Sequence, residues 1–295
     1  MSSLTRSLIS DADLRRGNGR LIYRLVLGTL AVAFVLAFIF PLYWMVTGAM
    51  KTPIELAQPS PTLWPTEWHP ETYLEAWRRL EIGRYLANTA FYALGGWLIQ
   101  LIVDVAAAYA LSKLRPILGN VVLGGMLASL MLPAAALLVP AYLTVAEVPI
   151  FGVNLLNTPW ALWLPGAANA FNIYVLKRFF DQIPNDLLDS AGIDGAGRLR
   201  LLWHIILPLS RPVLAVVSIF AIIGSWKDFL WPLLVLQEAE GQTISVALSR
   251  LASTGRVTNN EMFAGLAIAS IPMVVIFMVF QRSILNGLSA GALKG

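Results

Sequence analysis

Long stretches without a charged side chain constrain this chain more than any other feature. Leu25 to Met50 carries no Asp, Glu, Lys or Arg. The same holds for Tyr85 to Val103, Pro116 to Ala146, Val148 to Leu176 and Met262 to Gln281. A sixth stretch, Pro212 to Gln237, is interrupted only by Lys227 and Asp228. A hydrocarbon layer about 30 Å thick is crossed by roughly 20 apolar residues in a helix, a length each run meets or nearly meets. Composition excludes a soluble protein with a large core. Only 13% of residues are charged and mean hydropathy is +0.69, where a soluble domain carries roughly a quarter charged residues. The expected fold is all-α and polytopic, with six transmembrane helices.

Lys and Arg alternate in number from loop to loop. Arg6, Arg15, Arg16, Arg20 and Arg24 precede the first run, Lys113 and Arg115 lie in the second loop, and Lys177, Arg178, Arg198, Arg200 and Arg211 in the fourth. Arg282 and Lys294 follow the last run. The remaining loops hold Lys51, Arg78, Arg79, Arg84, Arg250 and Arg256, so the balance is fourteen against six with Lys227 inside a run. The positive-inside rule then puts both termini and the fourth loop in the cytoplasm. The net charge of +4 is explained by this orientation and calls for no nucleic acid. The first run is too long for a signal-peptide core and lacks a small-residue cleavage site, so no cleaved leader is expected. With no cysteine, disulfide, thiolate and iron–sulfur chemistry are excluded.

The first external loop, 51–84, is rich in Pro and Trp. Leu74, Trp77 and Leu80 recur there at helical spacing, which predicts an amphipathic helix at the interface. Its tryptophans fit membrane-belt anchors equally well. Prolines within the runs, among them Pro41, Pro133, Pro140, Pro165, Pro232 and Pro272, predict kinks.

Between the fourth and fifth runs stands "DSAGIDGAGRLRLLWHIILP", Asp189 to Pro208. Pro184 with Asn185 and Asp186 predicts a helix start. Gly192, Gly195 and Gly197 predict a tight turn near Asp194–Gly195, and Leu199, Leu202 and Ile206 one face of a second helix that Pro208 stops. By itself this pattern also fits an interfacial loop whose arginines meet anionic headgroups.

The spacing narrows that choice. Asp189-Ser190-Ala191, Gly195, Ile205 and Leu207-Pro208 resemble, position by position, the EAA loop of binding-protein-dependent ABC importer permeases. "NTAFYALGGWLIQLIVDVAAAYALSKL", "MLPAAALLVPAYL", "GSWKDFLWPLLVL" and "QRSILNGLSAGALKG" extend the likeness to the smaller, six-helix permease of maltose-type carbohydrate systems. The family's Glu is Asp189 here, its first Ala is Ser190, and its usual Asn after Trp226 is Lys227. The resemblance implies a coupling helix that docks on a separate ATPase subunit, and a C-terminal tail, Gly291 to Gly295, that reaches between paired ATPases. It implies as partners a second permease subunit, a dimer of ABC ATPase subunits and an extracytoplasmic sugar-binding protein, in the cytoplasmic membrane of a prokaryote. It divides the chain into a cytoplasmic segment (1–24), a first span (25–50), an external loop with an interfacial helix (51–84), a permease core (85–282, with the coupling loop at 184–208) and a cytoplasmic tail (283–295).

Charges inside spans are costly, at least ~2.5–3.5 kcal/mol on insertion scales, and often functional. Asp104, Lys227 and Asp228 are such residues. With Trp226 they form a candidate substrate pathway; the competing expectation is a structural ion pair with Asp104 or with a partner subunit, or snorkelling to the outer interface. No catalytic constellation is present, since His69 and His204 are far apart and no Walker-type phosphate loop occurs. No cofactor or metal is expected in this chain, with ATP and magnesium used by the partner ATPases. The competing function is a stand-alone proton-coupled transporter using Asp104 and Asp228.

Overall fold

The computed structural model describes residues 17–255 and 257–292. Helices dominate, and the described residues contain no strand beyond one isolated bridge, Val148 with Val153. The chain forms two compact units, Met1–Glu75 with Thr258–Ala267, and Ala76–Val257 with Ile268–Gly295.

In the first unit, α1 (Gly17–Ala49) runs unbroken through Pro41. A Cβ on Gly48 would lie 2.9 Å from the Phe263 ring, so only glycine allows that close approach. After α1, Thr52 caps α2 (Pro53–Leu56), its side chain accepting from the Glu55 N–H at 3.1 Å. Lys51, counted among the charges of the loop after the first run, is fully buried. Its ammonium stands 4.4 Å from the Trp44 ring centroid and donates to the Thr62 carbonyl. Glu55 is buried nearby and accepts from the hydroxyls of Thr62 and Thr66 and from the Thr66 N–H. Burial alone would raise the Glu55 pKa. The three donors and the Lys51 charge outweigh it and hold the carboxyl below its ordinary value.

The helix expected in this loop is α3 (Glu71–Arg79). Its covered face is different: Thr72, Ala76 and Leu80 are buried, while Leu74 and Trp77 are largely exposed. Large apolar residues mark a stripe, but the small Ala76 permits the closer approach. Lipid can accept the other face.

The second unit begins with α4 (Ile82–Tyr109), which continues as a π turn over Ala110–Leu114. Arg115 then takes a left-handed conformation, φ 47°, and closes the π turn through its N–H on the Ala110 carbonyl. The expected single helix over 116–146 is instead a bent pair, α5 (Gly119–Ser129) and α6 (Ala134–Ala146), at 108°. Pro133 has extended ψ, 128°, and no N–H to offer the preceding turn. The expected span over 148–176 is not one helix either. A tight turn at Val148–Val153 is followed by short α7 (Trp160–Trp163) and then α8 (Ala170–Asp181). Pro159, Pro165 and the left-handed Ile150, Gly152 and Asn157 break the run. Absence of charge made that stretch look continuous; backbone chemistry interrupts it. The 212–237 run is likewise two helices, α11 (Arg211–Lys227) and α12 (Leu230–Val235).

Chain order is completed by α9 (Asn185–Ile193), α10 (Arg198–Leu209), α13 (Ile244–Ser253) and α14 (Asn259–Ala292). α14 starts with a capping box in which the Thr258 N–H and hydroxyl both donate to Glu261, at 2.9 and 2.8 Å. The segment expected as a tail from 283 is helical to Ala292; Leu293, Lys294 and Gly295 lie outside the described residues. Among the described residues, Gly19–Ala49, Ile82–Leu114 and Asn259–Gln281 are long and apolar enough to cross a membrane, and counting each bent pair as one span gives five.

α8 and α11 pack along α4. Their shared core joins Val105, Ala108 and Tyr109 of α4 to Ile173, Leu176 and Phe180 of α8 and Val217 of α11. Leu202 and Ile206 of α10 enter the same core.

Candidate functional site

Asn185 to Leu209 forms a bent arm of two helices. α9 starts at Pro184, whose extended ψ of 134° sets the chain for the first turn, with Asp186 at the positive end of the helix dipole. It ends in a Schellman motif. The Gly195 N–H bonds the Gly192 carbonyl at 3.0 Å and the Ala196 N–H bonds the Ala191 carbonyl at 2.9 Å. That closure requires a left-handed residue, and Gly195 supplies it at φ 82°. The turn expected at Asp194–Gly195 is therefore present. Within α9 the Ser190 hydroxyl donates to the Asp186 carbonyl at 2.7 Å, so the residue replacing the family's Ala satisfies itself internally.

α10 is anchored on one side and bare on the other. Leu202 and Ile206 are buried, Ile205 and Leu207 partly so. Leu199, expected on the same buried face, is 72% exposed. Leu199 lies in the first turn of the arm's second helix, beyond the residues the core covers, and a π turn follows at Leu202–Ile206. Pro208 has no N–H, and the neighbouring Leu207 N–H reaches back to the Leu202 carbonyl. Pro208 was expected to stop the helix, yet it sits inside the last turn. The stop is Ser210, after which α11 departs at 82°.

The end of α4 holds the arm. The Tyr109 hydroxyl donates to the Arg198 carbonyl at 3.0 Å, and Lys113 donates to the Ile183 carbonyl at 2.8 Å and to Asn185 at 3.2 Å. Ser112 and Lys177 both donate to Asp181, at 2.8 and 2.7 Å. Burial disfavours the Asp181 carboxylate, but these donors and the adjacent cations outweigh it and lower its pKa. Beyond this base the arm projects. Asp189 and Gly195 are exposed, Ile193 is 88% exposed, and Cβ atoms added at Gly192, Gly195 or Gly197 would meet nothing within 4 Å.

The intramembrane charges are not gathered into one site. Asp104 is buried and accepts from the Asn169 N–H at 2.9 Å, while Asn169 itself caps α8 through the Asn172 N–H. Asp104 is thus a second acceptor at the α8 N-terminus, where unpaired N–H groups and the dipole favour a carboxylate. Trp97, Asn172, Val217 and Ser218 surround it. Lys227 and Asp228 lie roughly 9–16 Å further along α11 at 1.5 Å per residue. The expectation of an ion pair with Asp104 within this chain is corrected by this separation. Asp228 stands at a helix break, its carboxylate facing the N–H groups of Trp231, Phe229 and Leu230. It lies at the positive end of the α12 dipole. Lys227 is exposed, and Trp226 is partly buried.

One feature was not visible in sequence. The Trp163 ring lies where a Cβ on Gly95 would fall, at 2.3 Å, and its Nε1 donates to the Tyr92 carbonyl at 3.0 Å. Phe91 lies tilted and Trp160 edge-on against that ring, each with centroids 5.3 Å apart. The adjacent glycines Gly95-Gly96 inside an apolar run were the available signal.

Comparison with known proteins places this geometry. The chain is 30% identical over 272 residues to Protein LplC of Bacillus subtilis (strain 168), covering 87% of this chain and 90% of that protein. It is 28% identical over 269 residues to the diacetylchitobiose uptake system permease protein NgcG of Streptomyces coelicolor, covering 90% and 87%. It is 30% identical over 265 residues to the sn-glycerol-3-phosphate transport system permease protein UgpE of Yersinia pestis bv. Antiqua (strain Antiqua), covering 86% and 92%. The fold matches a chain in the crystal structure of a bacterial ABC transporter involved in the import of the acidic polysaccharide alginate, with a TM-score of 0.79 at 24% identity, over 94% of this chain and 99% of that one. The profile of the binding-protein-dependent transport system inner membrane component family matches residues 81–289, a range that contains the arm, both helix-start carboxylates and the Gly95–Trp163 contact. The chain belongs to that family.

Proposed function

We propose that this inner membrane component is one permease subunit of an ATP-driven importer for a carbohydrate or a related polyol. Six spans with both termini in the cytoplasm fit the charge alternation, with α5 and α6 together crossing once, 148–176 completing the fourth passage, and α11 with α12 forming the fifth. The domain limits and site residues given from sequence belong to this reading. Asp189, Ser190, Ala191, Gly195, Ile205, Leu207 and Pro208 form the coupling loop. A dimer of ABC ATPase subunits seats it, a second permease completes the pore, and an extracytoplasmic binding protein delivers the substrate. ATP and magnesium are handled by the ATPases.

The observation that carries this reading is an arm rooted in the core by Leu202 and Ile206, yet with its glycines facing open space and Ile193 and Leu199 bare. Such a surface is completed by another molecule. ATPase closure would then push the arm, and the stiff join through Tyr109 and Lys113 would pass the motion to α4 and α11. Relatives named for diacetylchitobiose uptake and sn-glycerol-3-phosphate transport support a sugar or phosphorylated polyol as substrate. Trp226, Lys227 and Asp228 border the pathway in this reading, Lys227 as an unpaired cation toward an anionic group. Asp104 is left with a structural role. The stand-alone proton-coupled alternative loses support, because Asp104 and Asp228 each stand at the start of a helix.

The test is co-purification of the chain with an ATPase dimer, followed by substrate-stimulated hydrolysis and transport. Asp189→Lys and Gly195→Leu are expected to abolish stimulation while the spans still assemble. Unchanged stimulation in both variants overturns the coupling assignment.

A further inference from the structure

Between the end of α4 and the arm lies a cavity of about 670 Å³, lined by Tyr109, Ser112, Lys113, Arg115, Asp189 and Arg198 among others. Its charges do not balance. Among its lining residues three cations face one carboxylate; Asp181 nearby also acts on Lys113, but its oxygens are taken by Ser112 and Lys177. Lys113 is held by two neutral acceptors, the Ile183 carbonyl and Asn185. Arg115 uses Nε on the Ser112 carbonyl at 3.2 Å, which leaves its outer guanidinium nitrogens free. Arg198 stands in the first turn of α10, the positive end of the dipole, and Gly197 offers no side chain to cap that end. A cation there is unfavourable by itself.

We infer that this cavity binds a phosphate-bearing anion, either the headgroup of an anionic phospholipid or free phosphate. Guanidinium forks match phosphate oxygens in a bidentate way, and uncapped N–H groups at a helix start add donors. The depth also suits a headgroup, since Lys113 and Arg115 stand at the very end of the Ile82–Leu114 span. Asp189 of the coupling motif lines the same cavity, so the bound anion, by drawing Lys113, Arg115 and Arg198 together, sets how firmly α9 lies against α4. This site rests on the importer reading only for its placement on the cytoplasmic face.

The test uses the full-length chain with its co-expressed partners, in phosphatidylcholine nanodiscs with and without phosphatidylglycerol. Lipid retained by the purified protein is counted by native mass spectrometry. Thermal stabilisation by inorganic phosphate over chloride is measured in phosphatidylcholine alone. Both readouts are independent of ATPase stimulation, so failure here is distinct from failure of the importer reading. The double variant Arg115→Gln/Arg198→Gln is expected to lose phosphatidylglycerol retention by about 25-fold, near fivefold per charge. Arg115→Lys/Arg198→Lys keeps most of it, and Arg178→Gln, a nearby charge outside the cavity, leaves it unchanged. Loss of retained lipid identifies the headgroup as ligand; loss of the phosphate response alone identifies free phosphate. Parental behaviour of the glutamine double variant in both readouts, or an equal loss in Arg178→Gln, overturns the site.

Discussion

Two regions of the second unit use glycine in opposite ways. At Gly95 and Gly96 the missing side chain is replaced by the Trp163 ring, so the chain itself fills the space. At Gly192, Gly195 and Gly197 nothing of the chain comes within 4 Å. The first is a finished contact. The second is a surface held in shape by its own hydrogen bonds and left for another molecule. A family member that works within an assembly has to combine the two, with rigidity where helices meet inside the chain and vacancy where force is received.

Several substitutions can break this contrast. Trp163→Ala removes the ring, its contacts with Phe91 and Trp160 and the bond to Tyr92, and is expected to cost about 3 kcal/mol in chemical unfolding of the purified chain. Gly95→Ala, which forces a methyl into the ring, should cost about 1–3 kcal/mol by the same measurement. If both variants unfold like the parent, the contact is not the finished one described. Asp228→Ala takes the negative charge from three N–H groups at the start of α12, with an expected loss of about 1 kcal/mol. Gly192→Ala runs the other way. A helical position with open space gains about 0.8–1 kcal/mol in the isolated chain, yet the methyl should weaken ATPase stimulation in the assembly. A gain in stability with stimulation intact would show that α9 is not closely gripped at Gly192.

The smallest expected effect lies in the first unit, where the loop after α2 satisfies its own charges. Glu71 hydrogen-bonds His69 at 2.7 Å and raises its pKa, with Glu67 adding at 3.6 Å. A raised folded pKa means stabilisation is present below the ordinary value of 6.5 and fades as pH rises through the higher folded value. Amide exchange around Glu67–Glu71 should therefore be slower at pH 6 than expected from intrinsic rates and lose that protection above neutrality. Glu71→Gln should flatten the profile.

Much of the site was legible because its rules are local. Pro184, Gly195 and the residues between them specify a helix, a Schellman closure and a reversal without help from the rest of the chain, and the structure has all three. Charge-free runs likewise announced the long helices around Leu25–Met50, Tyr85–Val103 and Met262–Gln281. The same rule failed over 148–176, because absence of charge measures compatibility with lipid and says nothing about whether the backbone continues. Lys51 shows a related limit. A single charge next to a helix end gives no sign of burial, which depends on Trp44 and on Thr62, eleven residues away.

The sequence by itself determined that this chain is helical, lives in a membrane and carries a bent, glycine-closed arm on its more basic side. Hydropathy and backbone propensity act over a few residues, so they can be read in order. Only the tertiary structure decided that Asp104 and Asp228 stand at the starts of separate helices, that Leu199 is left in the open, and that Lys113, Arg115 and Arg198 share one cavity. Those outcomes depend on which distant N–H groups, rings and charges arrive beside each side chain, and no local pattern encodes that arrival.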